Sequence, residues 1–163
     1  MNILHVLSGD FVAGSETSTA ALAEQQAAAG HRVFIASGSF SQPTKARVFP
    51  LPIHDRGPLR RIANILALQG IIRREGIDLV HAHSRAASWV CHWACRLTKT
   101  PYLSTLHGRQ HLHFSNRHFN VYGPAVVAVC ENIREQMLRE TRVFQPEQIT
   151  VIRNGIEVTS GHR

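Results

Sequence analysis

The sequence has few cysteines and no long apolar run. Three cysteines, two of them in VCHWAC, give no disulfide framework, and an odd, small number is typical of a reducing compartment. No apolar stretch approaches the roughly 20 residues that span a bilayer. The N-terminal MNILHVLSGD lacks the basic start of a signal peptide. We therefore expect a cytoplasmic protein rather than a secreted or membrane-spanning one.

Acidic residues are also scarce, since 11 Asp and Glu stand against 18 Lys and Arg and leave a net charge of +7. This charge favours an anionic partner, such as nucleic acid, a phosphorylated substrate or an acidic membrane surface, without choosing among them. A solvated basic surface with no special partner is an equally open interpretation. The composition is otherwise globular, with 44% hydrophobic and 18% charged residues, and 163 residues suffice for one domain with a sizeable core.

Short buried-strand patterns alternate with helical patterns along the whole chain. The predicted strands are NILHVLS, HRVFIASG, ARVFPLPI, IDLVHAHS, PYLSTLHG, PAVVAVC and QITVIRNGI. The predicted helices are TSTAALAEQQAAAG, residues 58–75, RAASWVCHWACRLTK and ENIREQMLRE. Gly30 is expected to cap the first helix, and Pro50 and Pro52 confine the third strand to an edge or a terminus.

This alternation predicts an α/β fold, a Rossmann-like doubly wound parallel sheet with helices on both faces. Ligands of such sheets bind in the crevice beyond the carboxyl ends of the strands. The predicted strand ends are SGDFVAGSE, ASGS, HAHSR, LHGRQ, CEN and RNGIE, which are rich in glycine, hydroxyls, histidine and amides. We therefore expect the functional residues at this edge of the sheet.

Five motifs in order resemble the N-terminal half of the retaining GT-B glycosyltransferases of family 4 (group 1). They are GSETSTAALAEQQAAAGHRVFIAS, DLVHAHS, STLHG, VVAVCENIREQML and ITVIRNGIE, and they cover nearly all of residues 2–157. The resemblance implies one half of a GT-B fold, with residues 1–157 forming the N-terminal domain. It also implies a second Rossmann-like domain that holds the donor, and residues 158–163 are expected to lead towards it.

The sequence departs from the family pattern at three places. The family often has a glycine pair in the first loop, where Ala13 precedes Gly14 here. Cys130 takes the place of a serine before Glu131, and the usual Asn-Gly-Ile-Asp ends in Glu157. These departures concern substrate contacts rather than the fold.

The resemblance implies that the chain is the acceptor-binding half of a hexosyltransferase and is inactive alone. The full enzyme would transfer a sugar from a nucleotide-sugar to a glycan or lipid-linked acceptor, as in lipopolysaccharide or polysaccharide biosynthesis, without a metal or other cofactor. Arginines after His107 and between Arg60 and Arg74 indicate a peripheral contact with the anionic inner face of the cell membrane.

Each candidate site residue lies at a predicted strand end. In the first loop, Gly14 allows close backbone approach, and the N–H groups of Ser15 and Glu16 open a helix whose positive end favours phosphate; a plain tight turn with a helix cap is the alternative. His107 is the candidate catalytic residue, because the resemblance places it against the transferred sugar, and capping a strand is its alternative. Gly108 leaves space beside it.

Two further groups of residues are candidate substrate contacts. His83, Ser84 and Arg85 end the fourth strand and are expected to hydrogen-bond acceptor hydroxyls or an acceptor phosphate. His81, on the same strand face, is interpreted as a structural histidine. The pair Asn154 and Gly155 lies near the expected second domain, where a turn is the alternative.

Metal binding and nucleic-acid binding are the rival interpretations of residues 103–118. HLH places two imidazoles on opposite faces of an extended chain with no acid or cysteine nearby, and Cys91 and Cys95 resemble core packing, so no metal site is predicted. Arg109 and Arg117 interleave with aromatic residues, an arrangement that can contact phosphates and stack bases. A basic α/β module that binds nucleic acid or a phosphate ligand without catalysis therefore stays the alternative function. The aromatic residues are Phe114, Phe119 and Tyr122.

Overall fold

Seven parallel strands form one sheet in the computed structural model, which describes residues 1–9, 13–55, 57–111 and 118–155. The strands are β1 (Asn2–Val6), β2 (Arg32–Ser37), β3 (Arg47–Pro50), β4 (Leu79–Ala82), β5 (Tyr102–Leu106), β6 (Val126–Ala128) and β7 (Ile149–Val151). The helices are α1 (Ala13–Ala28), α2 (Pro58–Glu75), α3 (Arg85–Thr98) and α4 (Glu131–Glu140), with a 3-10 turn at Pro146–Gln148.

The strand order is β3-β2-β1-β4-β5-β6-β7, and every neighbouring pair runs parallel. The direction of winding reverses between β1 and β4, where doubly wound sheets open a crevice for ligands. β3 lies at the edge and ends at Pro50, in agreement with the prediction from the two prolines of ARVFPLPI. The Rossmann-like parallel α/β class is thus confirmed.

Helices cover both faces of the sheet. Phe34 of β2 belongs to the core cluster that α2 and α3 cover, whereas its neighbour Ile35 belongs to the smaller cluster under α1. Since successive strand residues face opposite ways, α1 lies across the sheet from α2 and α3. α4 lies on the same face of the sheet as α2 and α3. Its Met137 packs with Val126 of β6, and Val126 is in register, through β5, with Ala82 of β4, which belongs to the core cluster under α2 and α3.

The start of α1 differs from the sequence prediction. The helix begins at Ala13 rather than at Thr17, so the glycine-bearing loop is four residues shorter than expected. Its C-terminal end follows the prediction: Gly30 has a φ of +86° and donates to the carbonyl of Ala27. The next N–H, from His31, bonds to the carbonyl of Gln26, which completes a Schellman-type end.

Candidate functional site

Four histidines meet at the carboxyl edge of the sheet, beside the reversal between β1 and β4. His5 on β1 is in register with His81 on β4. His83 directly follows β4, and His107 directly follows β5. Strand alternation places all four side chains on the face that α1 covers.

Hydrogen bonds join three of these histidines into one row that begins on α1. The Gln26 side-chain oxygen lies 2.7 Å from His5 Nε2. His5 Nδ1 lies 2.9 Å from His83 Nε2, and His83 Nδ1 lies 3.1 Å from His107 Nε2. His81 stands beside this row, with its Nε2 2.7 Å from the hydroxyl of Thr105. We call Gln26, His5, His83 and His107 the histidine row.

Burial keeps these imidazoles neutral. Loss of hydration lowers the pKa of His5 from 6.5 to about 4, against a smaller opposing effect of the Gln26 hydrogen bond. Burial first, and then repulsion from His5 and His107, lowers the pKa of His81 to about 3. Burial first, and then repulsion from His81, His5 and His107, lowers the pKa of His83 well below 6.5, and burial also lowers the pKa of His107. Each ring therefore has one proton and one lone pair near pH 7.

The outer end of the histidine row is incomplete. Among the described residues, Nδ1 of His107 is the one buried side-chain nitrogen or oxygen with no hydrogen-bond partner. A buried polar atom without a partner costs about 1–3 kcal/mol, which makes such atoms rare in folded proteins. This nitrogen is therefore the candidate atom of the site for a contact with a ligand.

The chain after His107 is fixed to α4 and α3. The buried amide of Gln136 on α4 accepts from the N–H of Gln110 at 3.0 Å and donates to its carbonyl at 2.8 Å. Arg85 donates to the carbonyl of His111 at 2.7 Å. Gly108 is exposed, and a Cβ built there would meet no described atom within 4 Å. Among the described residues, the structure thus leaves open space at Gly108, the residue next to His107 in the chain.

Ser15 and Glu16 lie at the start of a helix as predicted, whereas Gly14 lies elsewhere than predicted. Gly14, Ser15 and Glu16 form the first turn of α1, so Gly14 is inside the helix rather than in a loop. The carboxylate of Glu16 accepts from the Ser41 hydroxyl at 2.8 Å, which ties it to the chain after β2. A Cβ on Gly14 would meet no described atom within 4 Å, so packing does not require a glycine there.

Gly9 is the glycine that the first loop requires. Its φ is +79°, and a Cβ there would lie 2.8 Å from the backbone nitrogen of Ser39. Its carbonyl also accepts from the Ser39 hydroxyl at 2.9 Å. The loop after β1 is therefore packed against the loop after β2 at a distance that only glycine allows.

Ser84, Asn154 and Gly155 are not joined to the histidine row. The Ser84 hydroxyl caps α3 by accepting from the N–H of Ala87 at 3.1 Å. Its observed contact is therefore structural. Asn154 and Gly155 are exposed and lie beyond the end of β7, at the same edge of the sheet but four strands from β1.

The histidines considered as metal ligands from the sequence do not converge in the described part of the chain. His111 and His118 are exposed, and His113 lies outside the described residues. Cys91 and Cys95 are buried core residues, and burial raises the pKa of both thiols. The predicted core-packing role of these cysteines is what the structure shows.

A different trio could reach one metal ion. One nitrogen each of His5, His81 and His83 lies within 4.8 Å of the others. However, His5 and His83 are bonded to each other and His81 to Thr105. As folded, the trio is a hydrogen-bonded network, and metal independence stays a prediction.

The described aromatic residues in or just after residues 103–118 contact other side chains of the chain, and Phe119 stacks on Trp93 with the ring centres 6.5 Å apart. Tyr122 is fully buried, and Phe119 packs edge-on against His92 with the ring centres 5.1 Å apart. Arg109 pairs with Glu140 at 3.5 Å. Phe114 and Arg117 lie outside the described residues. The burial of Tyr122 and the pairing of Arg109 thus do not favour the nucleic-acid interpretation.

The chain also matches the model of a known protein family. The model of Glycosyltransferase Family 4 matches residues 12–160. The chain belongs to this family. No curated protein matches the chain.

Solved structures of glycosyltransferases share the fold. A glycosyltransferase from Rickettsia africae ESF-5 is 25% identical with a TM-score of 0.81, over 95% of this chain and 43% of that chain. HepE from Anabaena, solved with UDP and glucose, is 18% identical with a TM-score of 0.72, over 96% and 45%. The lipopolysaccharide outer core galactosyltransferase WaaB is 13% identical with a TM-score of 0.73, over 98% and 47%. This family 4 chain thus spans less than half the length of these neighbours and matches one half of a GT-B fold.

Sequence reasoning misses several residues of this candidate site. His5 was read only as part of a buried strand, and Gln26 only as part of a helix. A polar residue within the apolar NILHV was the available signal, because a buried imidazole needs partners. Gln136 carried no comparable signal.

Proposed function

We propose that this chain forms the acceptor-side half of the cleft of a retaining glycosyltransferase. The observation that carries the proposal is the position of His107, at the carboxyl end of β5 in a family 4 fold, with an unpartnered buried nitrogen and open space at Gly108. A sugar hydroxyl can supply the hydrogen-bond partner that this nitrogen does not have among the described residues. Transfer needs such preorganised contacts at the reacting centre.

The neighbours and the net charge support the proposed classes of substrate. HepE is solved with UDP, with UDP and glucose, and with UDP-glucose, which supports a nucleotide-sugar as the donor. WaaB supports a lipopolysaccharide-type acceptor. The net charge of +7 suits an acceptor that carries phosphate.

Residues 1–163 alone should bind donor weakly and transfer almost nothing, because half a cleft cannot exclude water. Calorimetry with UDP-glucose tests the first point, and tight binding would contradict the acceptor-side assignment. Release of UDP from UDP-sugars, with and without glycan or lipid-linked acceptors, tests the second. The comparison protein is a chimera in which this chain is joined to the C-terminal half of the Rickettsia africae neighbour, with folding verified by circular dichroism. We expect acceptor-dependent UDP release from the chimera only.

A peripheral membrane contact through α2 is the second part of the proposal. Leu59, Ile62 and Leu66 are 80%, 56% and 57% exposed and follow one another at i, i+3 and i+7 on one face of the helix. Arg60 and Arg61 lie between Leu59 and Ile62 in the sequence; Arg60 pairs with Asp55 at 3.8 Å, and Arg61 lies over the ring of Trp89. Because α2 follows β3 along the chain, the N-terminal end of α2 lies at the carboxyl edge of the sheet, where the histidine row also lies. None of the helices in the described part of the chain is long and apolar enough to cross a membrane.

Vesicle flotation tests the membrane contact. We expect the chain to float with anionic vesicles and less with neutral ones, since apolar insertion and basic attraction act together. Ile62→Asp combined with Leu66→Asp should abolish flotation. Leu97→Asp on α3, at another exposed leucine, is the matched control and should float normally. Equal absence from both kinds of vesicle would sink this part of the proposal.

A further inference from the structure

The hydrogen bonds of the histidine row all run in one direction, and the contact with Gln26 fixes that direction. The side-chain oxygen of Gln26 can only accept a hydrogen bond, so the proton at this contact belongs to His5 Nε2. A neutral imidazole has one N–H, and His5 is buried and neutral near pH 7. His5 Nδ1 is therefore an acceptor, and the proton of the next hydrogen bond must come from His83 Nε2.

The same reasoning applies to the next ring. Since Nε2 of the buried, neutral His83 has the proton, its Nδ1 accepts, and the donor at 3.1 Å is His107 Nε2–H. We propose that Gln26, His5 and His83 are positioning residues that hold His107 in the Nε2–H tautomer, with the lone pair of Nδ1 as the acceptor for a substrate hydroxyl.

This tautomer decides what His107 can bind. With the lone pair on Nδ1, the ring accepts from a hydroxyl; with the opposite order, the same atom would present N–H and would require an acceptor. A sugar hydroxyl can donate or accept a hydrogen bond, but only the arrangement with the protons on Nε2 is compatible with the Gln26 oxygen. That a sugar is the partner rests on the proposed glycosyl transfer, whereas the tautomer itself does not.

Nitrogen-15 NMR on the ¹⁵N-labelled chain tests the tautomer directly at pH 7.5. We expect pyrrole-type Nε2 and pyridine-type Nδ1 resonances at His5, His83 and His107. Couplings across the hydrogen bonds should join His5 Nδ1 to His83 Nε2 and His83 Nδ1 to His107 Nε2. A proton on Nδ1 of His83 or His107 would overturn the inference. So would a spectrum that changes when EDTA is added, because these nitrogens would then be ligands of a metal.

A charge-matched pair of variants tests whether Gln26 sets the direction. Gln26→Lys replaces the acceptor by a donor and should reverse all three rings to Nδ1–H. Gln25→Lys places the same charge on the adjacent exposed position of α1 and should leave every tautomer unchanged. Reversal confined to His5, or none at all, in Gln26→Lys would overturn the assignment of direction to Gln26.

Kinetics on the chimera separate this inference from the proposed function. Gln26→Lys should lower the rate of acceptor-dependent transfer at least tenfold, as loss of one oriented hydrogen bond at a reacting centre does, while Gln25→Lys keeps the full rate. If transfer is absent in every variant but the tautomers follow the predicted order, the proposed function fails and the inference stands. If transfer is normal but wild-type His107 has the proton on Nδ1, the inference alone fails.

Discussion

Acid should destabilise this fold strongly, because His5 and His81 stay neutral when folded. In the unfolded chain both imidazoles take up protons as the pH falls below 6.5. In the folded chain His5 stays neutral down to about pH 4 and His81 down to about pH 3. The unfolded state thus binds more protons within this window, so the free energy of unfolding decreases as the pH falls. Above pH 6.5 both rings are neutral in the folded and in the unfolded chain, so the free energy of unfolding no longer depends on them.

The magnitude follows from the width of this window. Each pH unit below 6.5 costs about 1.4 kcal/mol for every histidine that stays neutral in the folded state. At pH 4.5, His5 and His81 together cost about 5 kcal/mol by this relation. That is comparable with the whole stability of many domains, about 5–15 kcal/mol. The lowered pKa of His83 acts in the same direction.

Urea unfolding followed by circular dichroism, at pH values from 7.5 to 4.5, measures this effect. In His81→Gln the amide can retain the contact with Thr105, but one titrating group is gone. Between pH 6 and 4.5 its stability should therefore fall less steeply than that of the wild type, by about 1.4 kcal/mol per pH unit. His111→Gln, at an exposed position, is the control and should keep the wild-type steepness. Equal steepness in His81→Gln and wild type would refute the buried, neutral assignment.

Three further predictions concern the loops and the metal. Gly9→Ala should destabilise the chain by about 2 kcal/mol or more in urea unfolding, because of its positive φ and the 2.8 Å approach to Ser39, whereas Gly14→Ala should be neutral or stabilise by up to about 1 kcal/mol; equal effects would contradict the loop packing. In the chimera, His111→Ala and His113→Ala should raise the acceptor KM or do little, and a large fall in kcat would place either residue at the reacting centre. A chelator should leave transfer unchanged, and loss of activity would reopen the metal interpretation.

The fold could be predicted from the sequence because buried parallel strands are apolar throughout. IDLVHAHS and PYLSTLHG contain β4 and β5, and the amphipathic spacing gave the bounds of α2, Pro58–Glu75. The start of α1 could not, because Gly14 argues locally against a helix. A glycine costs a helix only about 1 kcal/mol, which tertiary packing readily offsets.

The site could be predicted only in part. The rule that ligands bind at carboxyl strand ends brought His83 and His107 together, and the structure joins them at 3.1 Å. It gave no reason to add His5 from within a strand or Gln26 from within a helix. These contacts pair side chains 21 and 78 positions apart in the sequence. Hydrophobic periodicity does not indicate which distant side chains meet in the fold.

Steady-state kinetics of His107→Ala in the chimera test the central claim, that this histidine contacts the transferred sugar as charge develops. The account predicts a fall in kcat of about 100-fold or more with the acceptor KM little changed, as for loss of one preorganised hydrogen bond in the transition state. His54→Ala, an exposed histidine outside the histidine row, is the control and should keep the wild-type kcat. Full turnover by folded His107→Ala would contradict the account.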